Sequence, residues 1–297
     1  DVGKSARADN ARLAALRAEQ ARQERRSKLL IAGGAVGVIV LIIVALVIAA
    51  MQGAGKDSDG KSGTALDQAT FSKLTTVPAG TFDKVGVGTA SNPPKAIDAP
   101  AISKDSKPRV VYVGAEYCPF CADQRWPVVV ALSRFGTWNN LNATYSAPAP
   151  ETNPDTPTVS FHGATFTSQY LSFTGYETAT NKKSNGQFTK LDTIEGDDLT
   201  LFQTYNNKPY VTSPGAIPWL NFGGTSLVAG ASFANEAIAG KTHAEIAAAL
   251  ADPTTPTSKA IVGSANVFTA QICKLTDQKP AEVCTSAGVT AAAAALK

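Results

Sequence analysis

The stretch RVVYVGAEYCPFCADQRWPVVVALSRFG, residues 109–136, decides how the rest of the chain is read. Its opening residues, 109–114, form a short apolar, β-branched run between Pro108 and Gly114, the pattern of a buried strand. Beyond it, Trp126, Val129, Val130, Leu132 and Phe135 recur at helical spacing until Gly136 stops them. Cys118-Pro119-Phe120-Cys121 therefore stands where a strand hands over to a helix. A spacing of three puts both sulfurs on one turn, within the ~5.5 Å Cα separation that suits a disulfide. At the helix N-terminus Cys118 faces unpaired backbone N–H groups and the positive end of the dipole. Both favour a thiolate, so its pKa is expected below the ~8.5 of free cysteine. Pro119 fits the first helical position, where its missing N–H would have found no partner. Cys121, one turn deeper, is placed to resolve a mixed disulfide.

A redox-capable dithiol is one reading of this motif, and two plainer readings stand beside it. One is an inert structural disulfide, as an oxidising compartment would favour. The other is half of a zinc site, for which a second closely spaced Cys or His pair is lacking. Glu116 and Asp123 are the nearest acids in sequence. Both are expected to be solvated, which leaves no buried acid to serve Cys121.

Working downstream, residues 141–146 read as a second strand, after which Pro148, Pro150, Pro154 and Pro157 break the chain. Residues 158–177 alternate well enough for one or two more strands, and 197–205 read as a short helix with an acidic first turn. Ile217-Pro218-Trp219 opens another strand, with Gly223-Gly224 and 226–229 completing a hairpin. Thr242 and Glu245 form a capping box for a helix to Leu250, and a last helix covers 258–275. Upstream, 64–106 read as an irregular or short-stranded lead-in. The four cysteines allow three pairings. Cys273 and Cys284 flank a turn, and a bond between them would be a structural staple or a second redox relay.

The 297 residues carry a formal charge of +3 and are 44% hydrophobic, which excludes wholesale disorder and gives no footing for nucleic-acid binding. The charge is uneven: residues 1–28 hold eight basic groups against four acids, and 29–51 hold no charge at all. At 1.5 Å per residue that run exceeds the ~30 Å of a bilayer core. It is also longer than the ~7–15 residues of a signal-peptide core. The expected organisation is a cytoplasmic basic helical tail (1–28), a single transmembrane helix (29–51), a flexible linker (52–66) and an extracytoplasmic domain (67–297). Lys and Arg retained inside set the N-terminus in the cytoplasm of a cell-membrane protein.

The order strand, dithiol, helix, strand, insertion, Ile-Pro, hairpin, helix resembles the thioredoxin superfamily over roughly residues 107–251. With FTGYE at 173–177, IPWLNFGG at 217–224 and a helix ending in Cys273, the chain is also similar to a membrane-anchored thioredoxin-like family of actinobacteria and archaea that is described only as a domain of unknown function. The resemblance implies an α/β, thioredoxin-like fold in which 147–215 form a strand-rich insertion. It implies Cys118 and Cys121 as the exchanging thiols, supported by Pro119, Phe120 and Ile217, with Pro218 as a cis-proline against them. An ordinary trans proline opening a strand is the alternative.

Two functions follow as expectations. The first is a membrane-tethered thiol–disulfide oxidoreductase acting on cysteines of exported or membrane proteins. The second is a non-catalytic accessory or assembly subunit of a membrane complex, such as an actinobacterial respiratory cytochrome supercomplex. It would dock through the apolar segment, where Gly33, Gly34 and Gly37 allow close helix contact. No cofactor, metal or nucleic-acid partner is expected.

Overall fold

Residues 61 and 63–296 are described by a computed structural model. The basic tail, the apolar 29–51 segment and the linker as far as residue 60 lie outside the described residues. Among the described residues no helix is long and apolar enough to cross a membrane. In chain order they form β1 (Thr64–Ala65), α1 (Gln68–Thr75), α2 (Ala79–Val85), β2 (Lys95–Ala96), β3 (Ser103–Lys104), β4 (Lys107–Gly114), α3 (Pro119–Leu132), β5 (Gly136–Asn139) and β6 (Asn142–Tyr145). There follow β7 (Pro157–Ser160), β8 (Thr165–Ser168), β9 (Ser172–Glu177), β10 (Ala179–Ser184), β11 (Gln187–Lys190), α4 (Gly196–Tyr205), β12 (Trp219–Phe222) and β13 (Ser226–Ala229). The chain closes with α5 (His243–Ala249), α6 (Pro256–Leu275), α7 (Ala281–Cys284) and α8 (Ala287–Ala293).

β4 is the axis of this mixed α/β architecture. It pairs antiparallel with β12, which pairs with β13, which pairs with the short β2. On its other side it pairs in parallel with β9, Arg109 opposite Ser172 through Gly114 opposite Glu177. β4 also turns back on β3 in a short hairpin. Because side chains alternate along a strand, the apolar run of β4 feeds two cores. Val110 and Tyr112 join a large core with Trp126, Leu132, Phe222 and Phe268, built on α3 and α6. Val111 and Val113 join a smaller one with Leu201, Val211, Trp219 and Leu227, beneath α4. A strand buried on both faces needs no polar alternation, and 110–113 have none.

Several expectations need correction. The strand read at 141–146 is present as β6, but it lies in a separate sheet between β1 and β7, and the parallel neighbour of β4 is β9. Residues 158–177 hold β8 and β9 as well as most of β7, and Gly136 opens β5, which pairs with β8. The linker assignment fails at its end, since Thr64 and Ala65 pair with Ala143 and Asn142. The lead-in contains two helices. Asp67 caps the first by accepting from the Thr70 N–H at 2.9 Å, and Leu74 and Phe82 anchor the two helices in the large core. The β10–β11 hairpin turns on Asn185 and Gly186, whose positive φ values of 52° and 76° suit an Asn-Gly turn. The capping box at Thr242 and Glu245 and the hairpin at 219–229 are present as read.

Candidate functional site

The dithiol sits at the exit of the central strand. After β4 the chain turns, with the Cys118 N–H donating to the Ala115 carbonyl at 3.2 Å, and Cys118 becomes the N-cap of α3 with Pro119 following it into the first turn. The Cys118 Sγ accepts the Cys121 N–H at 3.2 Å and lies 3.8 Å from the Ile217 carbonyl oxygen, to which the thiol donates. Both thiols are free, Cys118 almost covered and Cys121 fully buried. The meeting with Ile217 follows from sheet register. Trp219 pairs with Val113, so the residues just before antiparallel β12 fall beside those just after β4. The Ile217-Pro218 peptide bond is cis. Phe120, by contrast, projects outward at 48% exposure.

The two thiols are electrostatically unequal. A hydrogen bond from the Cys121 thiol, then the Cys121 backbone N–H and the charge of Arg125, holds the Cys118 pKa below its ordinary value despite burial. Burial first, then the hydrogen bond and charge of Cys118, pushes Cys121 well up. That asymmetry makes Cys118 the more readily ionised thiol and leaves Cys121 the protonated reserve.

Beneath the pair lies a charged couple with no exposed surface. Arg125 Nε and Nη2 donate to Glu177 at 2.7 and 2.5 Å, and Nη2 also reaches the Ala115 carbonyl at 2.7 Å. Burial works against the Arg125 charge, but Glu177 more than offsets it and holds the guanidinium above its ordinary pKa. Burial likewise raises the Glu177 carboxyl above its ordinary range, against the pull of Arg125. Parallel pairing of β9 with β4 delivers Glu177 opposite Gly114, one residue before Ala115. Tyr112, 6.0 Å from the guanidinium, is fully buried, and its phenol is pushed well up by desolvation. Its hydroxyl occupies the space a Cβ on Gly114 would need, 2.3 Å away, so glycine is required there.

Asp123 overturns the expectation that it is solvated. It is 1% exposed, and burial raises its carboxyl to about 7 against the stabilising hydrogen bond from Asn235. Only Glu116 is partly exposed. Asn235 donates to Asp123 Oδ1 at 2.7 Å and to Thr156 Oγ1 at 3.2 Å, tying α3 to the 230–238 loop and to the 146–156 loop. A groove of about 490 Å³ opens between these segments, bordered by Phe120, Ile217, Phe233 and Asp123.

All the residues expected around the dithiol are thus together: Cys118, Cys121, Pro119, Phe120, Ile217 and Pro218. Cys273 and Cys284 stand apart in a disulfide with Cα atoms 5.6 Å apart, which joins the end of α6 to α7. Among the described residues no three His, Cys, Asp or Glu side chains gather as a metal site would require. Sequence reasoning missed Arg125, Glu177 and Asp123. The one signal for Asp123 and Arg125 was polar residues inside a helix, 119–132, that has no polar face, and Glu177, at the end of β9, gave none.

The family described as "Domain of unknown function (DUF929)" matches residues 95–274. The chain belongs to that family. The DUF929 span begins at β2 and ends within the last turn of α6, so it takes in the dithiol, Asp123, Arg125, Glu177 and Pro218. It leaves out α1, α2 and Cys284, so the disulfide crosses its C-terminal boundary. No curated protein and no solved structure matches the chain.

Proposed function

We propose that this DUF929 protein is a thiol–disulfide exchange protein with a thioredoxin-like fold, tethered to the membrane by residues 29–51. The observation that carries the reading is the pair of free thiols one turn apart, with Cys118 at the helix N-cap held toward the thiolate and Cys121 held protonated. The strand order β9–β4–β12–β13 and the helix leaving β4 through the dithiol support the fold assignment. A reading as an accessory subunit of a membrane complex would rest on residues 29–51 and has no support from the described residues.

In the exchange, the Cys118 thiolate attacks one sulfur of a substrate disulfide. The Cys118–substrate bond forms as the substrate S–S bond breaks, and the departing sulfur takes up a proton. Cys121 then loses its proton and attacks the Cys118 sulfur. The mixed disulfide breaks, the second substrate thiol leaves, and the substrate has gained two electrons while Cys118 and Cys121 are joined. Run backwards, the oxidised pair takes two electrons from a substrate dithiol. The substrates are cysteines of exported or membrane proteins.

The test uses the full chain, reduced, with oxidised glutathione and mass spectrometry. Wild type should form the internal disulfide, Cys121→Ser should accumulate a glutathione adduct on Cys118, and Cys118→Ser should form neither rapidly. Equal reactivity of all three would contradict the proposal.

A further inference from the structure

Asp123 is a carboxylate left half-satisfied in the wall of the groove. Its Oδ1 takes the Asn235 amide at 2.7 Å, while Oδ2 is sealed from solvent without a hydrogen-bond partner among the described residues. A buried carboxylate oxygen without a donor is costly, and native proteins seldom leave one so. Glu236, exposed, borders the same groove, and no lysine, arginine or histidine does. The acidity is local, since the chain as a whole carries +3. The remaining wall is apolar apart from Asn153 and Asn235, and it reaches the dithiol through Phe120, between the two cysteines, and Ile217, whose carbonyl contacts Cys118.

The geometry points to a substrate polypeptide with a lysine or arginine within a few residues of its exchanging cysteine, the cation meeting Asp123 and Glu236 while neighbouring apolar groups cover Phe120 and Phe233. This rests on the exchange reading above and adds the charge class of the substrate to it. Exposed Glu236 meets the incoming cation directly, the Asp123 carboxylate in the wall behind adds to the attraction, and the exposed face of Phe120 adds a favourable cation–π term. Selectivity arises because the same groove offers an anionic segment two like charges and no partner.

The experiment compares two probes on the reduced full chain: the homodisulfides of acetyl-Gly-Cys-Gly-Lys-amide and acetyl-Gly-Cys-Gly-Glu-amide. Each rate is divided by the rate of the same peptide with dithiothreitol, which removes the intrinsic effect of the neighbouring charge on the sulfur. Hydroxyethyl disulfide serves as a small uncharged reference. The lysine peptide should be favoured at least fivefold by wild type, less in Asp123→Asn, and the preference should vanish or invert in Glu236→Lys. Glu236 is exposed, so that variant tests the groove independently of any rearrangement around the buried Asp123. Equal normalised rates in wild type, with hydroxyethyl disulfide still reacting, would overturn the proposal while sparing the exchange reading. A lysine preference that survives Glu236→Lys and Asp123→Asn would also overturn it. Failure of all three disulfides to react would overturn the exchange reading and this proposal with it.

Discussion

Replacing Asp123 by asparagine should stabilise the protein in a pH-dependent way, and the size follows from its surroundings. Burial lifts its carboxyl from 3.8 to about 7. Each unit of displacement is ~1.36 kcal/mol between the two protonation states. The folded protein therefore holds this proton more tightly than the unfolded chain, and the associated stability is complete below about pH 4 and lost as pH rises through about 7. Relative to an uncharged side chain, a titrating Asp123 costs about 4 kcal/mol at pH 8, where it is ionised in the fold, and about 1.5 kcal/mol at pH 5, where only the unfolded chain ionises it. Asparagine keeps an acceptor for the Asn235 amide, so the advantage of Asp123→Asn over wild type should grow by about 2–3 kcal/mol between those pH values. For a domain of this size that is roughly 5–10 °C in the difference of melting temperatures. Burial holds His243 below its ordinary pKa, so it too affects stability in acid, but equally in both proteins, and it cancels in the difference. Thermal denaturation of the full chain at pH 5 and pH 8 gives the answer. A stability difference that stays flat or shrinks toward pH 8 would refute the reasoning, because Asp123 would then ionise as a surface carboxylate does.

Alkylation of Cys118 by iodoacetamide should show a midpoint below the ~8.5 of free cysteine, and Cys121→Ala should move it upward, since the Cys121 thiol is the main support of the thiolate. An unmoved midpoint would contradict that hydrogen bond. Arg125→Leu leaves the fully buried Glu177 carboxylate alone and should cost about 3–5 kcal/mol in urea denaturation, most of it recovered when Glu177→Leu is added. A loss below about 1 kcal/mol would mean that the pair is not ionised. Removing the Cys273–Cys284 bond by Cys284→Ser should cost about 2–4 kcal/mol without changing the Cys118 alkylation midpoint. A changed midpoint would tie that disulfide to the redox site.

The parts of the fold visible in the sequence are those fixed by local physics. The β-branched run of β4, the helical spacing of α3, the Gly223-Gly224 turn and the Thr242 capping box each need only a few neighbouring residues to be recognised. The parts that were missed depend on distant ones. Four strands, β5 to β8, follow α3 before β9, and only tertiary pairing decides that β9 rather than β6 lies beside β4. Helices α1 and α2 are eight and seven residues long, too short to show a repeating apolar face. Within the site, Cys118 and Cys121 were legible because their spacing is itself the chemistry. Arg125 and Glu177 are 52 residues apart, and neither looks buried until the parallel strands bring them together. Asp123 looked like a solvated helix residue; the 230–238 loop and the 146–156 loop cover that face of α3, and neither is adjacent to it in sequence.

The reduction potential of the Cys118–Cys121 pair bears most directly on thiol–disulfide exchange. The full chain would be equilibrated in glutathione buffers of graded ratio, trapped with an alkylating reagent, and the oxidised fraction read by mass. A potential between ~−120 and −270 mV, the range of known dithiol oxidoreductases, is the expected result and also gives the direction of electron flow. A potential below ~−300 mV would mark the pair as a structural disulfide that the glutathione pool cannot open, and would contradict the proposed function.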